Sequence, residues 1–120
     1  MSKFLYAFYG SLRRGMRLHN QFKSDLHYSH SVWLKGYDLH SLGNYPFAIK
    51  SSDPSHKILI EVTAILNAET EKSIHDIEIG AGYYAEKIQI GGDLVTIFLF
   101  EAAANNLRID SGDWVIFFGQ

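Results

Sequence analysis

Two places in this chain carry residue types that could do chemistry. The first is Tyr9-Gly10-Ser11-Leu12-Arg13-Arg14-Gly15, a polar, glycine-bounded loop that follows directly on the apolar, aromatic-rich run Phe4 to Tyr9. A glycine at position 10 allows positive φ or close approach to a ligand, and the N–H groups of Ser11 and Leu12 can then point outward at a bound anion or carbonyl. An ordinary strand-to-helix turn accounts for the same residues equally well. The second place is Glu78, at the end of an expected helix and just before Ile79-Gly80-Ala81-Gly82. Helix C-termini disfavour negative charge, and Ile77 and Ile79 flank the carboxylate with apolar surface, so its pKa is expected to rise toward the range of a general base. A solvent-facing glutamate with no role is the alternative.

Other chemistries fit less well. Gly10 to Gly15 has the glycine spacing of a phosphate-binding loop, but Met16-Arg17 stands where lysine and a hydroxyl residue are needed to reach phosphate and magnesium. Ser11 as a nucleophile lacks the glycine-x-serine-x-glycine elbow, although triad partners need not be close in sequence. A zinc site from His27, His30 and a third histidine lacks the paired-histidine helix motif. The chain has no cysteine, which excludes thiolate nucleophiles, thiolate ligands and disulfides.

The elements that must position these residues can be read from patterning. Phe4 to Tyr9 reads as a buried strand, and Met16 to Asp25 as one or two helical turns leading out of the loop. Val32-Trp33-Leu34 and Tyr37-Asp38-Leu39 read as strands around Gly36, followed by a turn at Gly43 to Pro46 and a short strand at Phe47 to Lys50. Lys57 to Leu66 reads as a central strand. Asn67 is a candidate N-cap for a helix over Ala68 to Ile77, with acidic residues in its first turn and glycines to stop it. Tyr83 to Ile90 and Leu94 to Phe100 read as a hairpin through Gly91-Gly92-Asp93. A polar stretch at Ala103 to Asn106 and a turn at Asp110 to Asp113 then lead into Trp114 to Phe118, read as a closing strand or apolar tail. The expected fold class is α+β: a small mixed β-barrel or curved sheet with flanking helices, formed by residues 1–120 as one domain.

With 120 residues, 47% of them hydrophobic, the chain can bury a substantial core, and no apolar run approaches the length of a membrane span. The N-terminus has no secretory pattern, so the cytoplasm is the expected compartment. A formal charge of −2 implies no charged partner, and nucleic acid and membrane are not expected, although Arg13, Arg14 and Arg17 make a local basic cluster. Oligomeric state is not readable from these features.

In their order along the chain, these blocks resemble the γ-glutamylcyclotransferase-like, or AIG2-like, family. Tyr9 to Gly15 is similar to that family's substrate loop. Leu34-Lys35-Gly36-Tyr37-Asp38-Leu39 with Gly43-Asn44-Tyr45-Pro46 looks like its next strand pair and glycine-tyrosine-proline turn, and Ile74-His75-Asp76-Ile77-Glu78 lies where the family carries its catalytic glutamate. Tyr83-Tyr84 matches the aromatic strand that follows.

The resemblance implies a cofactor-free reaction in which the α-amino group of a γ-glutamyl compound attacks its own γ-carbonyl carbon, closing 5-oxoproline and releasing the amine. It assigns the acid/base role to Glu78, cradles the glutamyl end on Gly10, Ser11 and Leu12, and walls the pocket with Tyr9 and Tyr84. Arg13 and Arg14 either attract a substrate carboxylate or are simply solvated. This chain departs from the family pattern at His75, where aspartate is common, at Ala85-Glu86, where many relatives carry arginine, and at Ile60 beside Glu61-Val62. The departures at His75 and Ala85 leave as an alternative a catalytically silent small-ligand-binding member of the same fold, and the aromatic strands leave a further one, an interaction protein that buries a partner on them.

Overall fold

A computed structural model of the chain describes residues 4–101 and 107–119. The polar stretch 103–106 lies outside the described residues. Seven strands and three helices follow one another as β1 (Phe4–Phe8), α1 (Arg17–Phe22), β2 (Leu26–Lys35), β3 (Tyr37–Ser41), β4 (Pro46–Lys50), β5 (Lys57–Ile65), α2 (Ala68–Gly80), β6 (Tyr84–Ile90), β7 (Asp93–Leu99) and α3 (Trp114–Phe118). Five strands form a mixed sheet in the order β2-β5-β1-β7-β6, and β3 and β4 form a separate two-stranded ribbon. Among the described residues the β1–β7 pair alone is parallel; β1–β5, β2–β5 and β6–β7 are antiparallel.

Of the two architectures expected, the curved sheet with helices is the one found. The described strands do not close into a barrel, because β2 and β6 stand at opposite edges of the sheet and the ribbon pairs with itself. The reading of residues 57–66 as a central strand holds, with β2 on one side and β1 on the other.

Alternation along β1 explains the layering. Tyr6 and Phe8 point to one face, where Phe98, Leu18 of α1 and Ile74 of α2 cover them. Ala7 and Tyr9 point to the other, packed with Ile60, Val62, Ile97 and Leu99 beneath Trp114 of α3 and Leu39 and Ala48 of the ribbon. Period-two alternation in a strand covered on both sides requires apolar residues throughout, which is why Phe4 to Tyr9 reads as a continuous apolar run.

Trp114 to Phe118, expected as a closing strand or apolar tail, is instead α3. Asp113 accepts hydrogen bonds from the amides of Val115 and Ile116 at 3.1 and 3.3 Å, satisfying orphan donors of the first turn. The rings of Phe117 and Phe118 lie 5.7 and 5.0 Å from that of Trp114, the three- and four-residue spacing that brings side chains together on a helix.

Candidate active site

The loop after β1 is held from beneath. Arg13 is 6% exposed and Glu61, in the middle of β5, is 3% exposed. Arg13 Nε approaches Glu61 Oε2 at 3.3 Å and its Nη1 donates to Asp113 Oδ1 at 2.8 Å, while the Arg14 amide donates to Glu61 Oε1 at 2.9 Å. Two buried carboxylates thus fix the loop against the sheet. The Arg14 guanidinium also stands 3.4 Å from Glu61 Oε1 and lies over the Tyr28 ring. Both arginines considered above as carboxylate attractants are therefore engaged in structural contacts.

Gly10 serves a close approach of a different kind from the one expected at a ligand. A Cβ there would stand 2.7 Å from Cγ of Pro46, so only glycine lets the loop pack against the first residue of β4. The chain then turns, with Arg13 N donating to Gly10 O at 2.9 Å, and the amides of Ser11 and Leu12 donate to no protein acceptor among the described residues.

Glu78 is placed by the way α2 ends. Asn67 starts the helix, its side chain accepting from the Thr70 amide at 2.8 Å, as expected. The helix runs through Gly80, and Gly82 takes φ of +102°, a left-handed conformation that favours glycine. Gly82 N then donates to Ile79 O and Tyr83 N to Glu78 O, each at 3.1 Å, which is the paired bonding of a Schellman motif. One local turn therefore sets Glu78 and Tyr83 side by side.

Between loop and helix end lies a cavity of about 200 Å³, lined by Tyr9, Gly10, Ser11 and Leu12 from the loop side and by Glu78 and Tyr83 from the helix end. Phe8 and Phe98 line it from the sheet, and Arg17, Tyr45 and Pro46 also border it. The Tyr9 hydroxyl donates to the Phe98 carbonyl and accepts from the Ala48 amide, and the Tyr83 hydroxyl donates to the Pro46 carbonyl. Burial holds both phenols well above their ordinary pKa, so they are neutral walls and donors. The Glu78 carboxylate has no hydrogen-bond or ion-pair partner among the described residues. Desolvation pushes its pKa up to about 7.

Five of the six site residues expected from sequence, Tyr9, Gly10, Ser11, Leu12 and Glu78, border this one cavity. Tyr84 does not; it begins β6 and packs against the core beneath α3 and the ribbon, and Tyr83 borders the cavity in its place. The residue two past a helix cap in a Schellman motif folds back on the last turn, so the Gly80-Ala81-Gly82 pattern could have singled out Tyr83. Arg17 and Tyr45, which the sequence marks only as part of a basic cluster and of the Gly43 to Pro46 turn, border the cavity as well. Among the described residues no three histidine, aspartate or glutamate side chains gather as a metal site.

The departures at His75 and Ala85 lie away from the cavity. His75 Nε2 is 2.5 Å from the Tyr6 hydroxyl, which also donates to Glu71 Oε2 at 2.7 Å, and its ring meets Phe98 edge-on. Ala85 pairs with Phe98 across β6 and β7 and is exposed.

An open mixed sheet carrying this loop opposite a desolvated helix-end glutamate defines a class, and comparison with known proteins gives the same one. The family described as gamma-glutamyl cyclotransferase, AIG2-like, matches residues 6–116. The chain belongs to that family. It is 33% identical over 110 residues to PH0828 of Pyrococcus horikoshii, covering 90% of this chain and 88% of that protein, whose name gives gamma-glutamylcyclotransferase as an unproven assignment. The crystal structure of PH0828 superposes with a TM-score of 0.81 at 28% identity over 95% of this chain and 92% of that one. The solution structure of YtfP from Escherichia coli gives a TM-score of 0.72 at 25% identity, over 92% and 96% of the two chains. The crystal structure of c4763 from uropathogenic E. coli, at 21% identity and a TM-score of 0.81 over 99% and 98%, shares the fold.

Proposed function

We propose that this protein, acting as one domain of residues 1–120, cyclises the γ-glutamyl group of a small γ-glutamyl amine or peptide to 5-oxoproline. The observation that carries the reading is Glu78: a carboxylate without a protein partner among the described residues, raised to a pKa of about 7 by burial, in a cavity it shares with the loop at Gly10 to Leu12.

In the reaction the substrate's α-amino nitrogen attacks its γ-carbonyl carbon, a new C–N bond closes the ring, and the original γ-amide C–N bond breaks. Glu78 takes a proton from the α-ammonium group, which frees the lone pair, and returns a proton to the departing nitrogen. A carboxyl group that titrates near neutral pH can do both. The unengaged amides of Ser11 and Leu12 suit a carbonyl oxygen that gains negative charge as the tetrahedral centre forms. Because nucleophile and electrophile belong to one molecule, the walls formed by Tyr9 and Tyr83 contribute by holding the folded-back conformer. No step needs a metal or cofactor. His75 and Ala85 lie outside the cavity, which favours this reading over a catalytically silent member.

The test is 5-oxoproline release from a panel of γ-glutamyl amino acids and γ-glutamylamines by the parent and by Glu78→Gln, with folding checked by circular dichroism. Release abolished in a folded Glu78→Gln variant is expected. Equal release by both overturns the role of Glu78. Thermal stabilisation by panel members without any product would instead support a small-ligand-binding protein.

A further inference from the structure

We infer that Arg17 recognises a free carboxylate on the amine released, making the substrates γ-glutamyl derivatives of apolar amino acids in preference to γ-glutamylamines; this rests on the cyclising reaction proposed above.

The cavity has an inner and an outer end. Tyr9, Leu12 and Tyr83 are 6%, 4% and 7% exposed, whereas Tyr45 and Ile77 are 40% and 38% exposed. Arg17, the first residue of α1, is exposed and borders the same cavity. The reacting γ-carbonyl must lie at the inner end, beside Glu78 and the loop amides. The group on the far side of the scissile bond then extends toward the outer end.

The charged lining of that outer end is cationic and unpaired. Arg13 and Arg14 are engaged with Glu61, Asp113 and Tyr28, but Arg17 has no ion-pair or hydrogen-bond partner among the described residues. A guanidinium presents a planar fork of donors that matches a carboxylate in two-point geometry, and the pairing strengthens when one side is covered by protein. An amino acid leaving group brings such a carboxylate. A simple amine leaving group would cover Arg17 without pairing it. Tyr45 and Ile77, which border the same cavity and are partly exposed, offer apolar surface, which suits an aliphatic or aromatic side chain on the departing amino acid.

The experiment compares two compounds that differ only in that carboxylate, γ-glutamyl-leucine and γ-glutamyl-3-methylbutylamine, on the parent, Arg17→Gln and Arg17→Lys. The parent is expected to favour γ-glutamyl-leucine roughly tenfold in kcat/KM, through KM, as a charge-assisted contact at a half-open site would give. Arg17→Gln should bring the ratio toward one and Arg17→Lys should restore part of it. A parent ratio near one, or a ratio that Arg17→Gln leaves unchanged, overturns the inference. Equal losses on both compounds also overturn it, because Arg17 would then be holding the glutamyl α-carboxylate common to both. If the parent releases 5-oxoproline from other members of the panel above but from neither of these compounds, the inference is overturned; if it releases none from any of them, the cyclising reaction fails. Calorimetric binding of the same pair then decides the role of Arg17: tighter binding of γ-glutamyl-leucine that Arg17→Gln erases upholds it, and indifferent or absent binding overturns it.

Discussion

Glu61 holds the loop at Gly10 to Arg14 and Glu78 shares a cavity with it, and their surroundings could hardly differ more. Glu61, in mid-strand, faces the Arg13 and Arg14 guanidinium groups and accepts the Arg14 amide, so both its oxygens are taken up by protein donors. Glu78, at a helix end, has no such partner among the described residues and faces a cavity. A carboxylate saturated with donors holds geometry, because separating its partners leaves a charge stranded in low dielectric. A solitary desolvated one has its charged form disfavoured and keeps its oxygens open for proton transfer. The molecule keeps the two carboxylates on separate elements, β5 and α2.

The sharpest way to break this contrast is to neutralise each carboxylate in turn. Glu78→Gln should cost about 10²- to 10⁴-fold in 5-oxoproline release, the usual range for a lost acid/base group, while far-ultraviolet circular dichroism stays parental. Glu61→Ala should do the reverse, lowering stability by about 3 kcal/mol in denaturant titration because Arg13 loses one of its two buried partners. Its residual folded fraction should keep the parental pH profile. Should Glu61→Ala leave stability untouched, the loop is held by something other than this ion network.

A third prediction concerns pH. Glu78 has a folded pKa of about 7, above the ordinary 4.5. Its protonated form is therefore favoured by folding, and that stabilisation is complete below pH 4.5 and lost as pH rises through 7. The parent should lose up to about 3 kcal/mol across that window relative to Glu78→Gln, a difference readable as diverging Tm values. Over the same window kcat/KM should climb with an apparent pKa near 7 as the base ionises.

The smallest expected effects sharpen the placement of the tyrosines. Tyr83→Phe removes the donor to the Pro46 carbonyl and should cost about 1 kcal/mol with a measurable rise in KM. Tyr84→Phe should leave KM unchanged, since Tyr84 does not border the cavity.

Much of this site is legible in the sequence because it is built from local signals. The loop announces itself by the switch from apolar strand to glycine and polar residues, the start of α2 by Asn67, and its end by the glycines at 80 and 82. Desolvation of Glu78 is not local in origin: Ile77 and Ile79 are 38% and 51% exposed, and the burial arises where the helix end meets the loop after β1. What stays hidden depends on pairings far apart in sequence. That Arg13 is buried becomes apparent only when β5 brings Glu61 beneath the loop and the chain returns with Asp113. The Trp114 to Phe118 run looks like a strand because its residues are aromatic and β-branched, and Asp113 as its cap is the overriding cue. Whether the sheet closes depends on edge strands whose exposure no local pattern records.

Asp113 does two jobs at once, capping α3 and gripping Arg13 from 100 positions away. During synthesis the loop leaves the ribosome 100 positions before this second anchor. The loop is thus made early but locked only after α3 has emerged and docked, so a nascent protein cannot hold a mature pocket before that helix is in place.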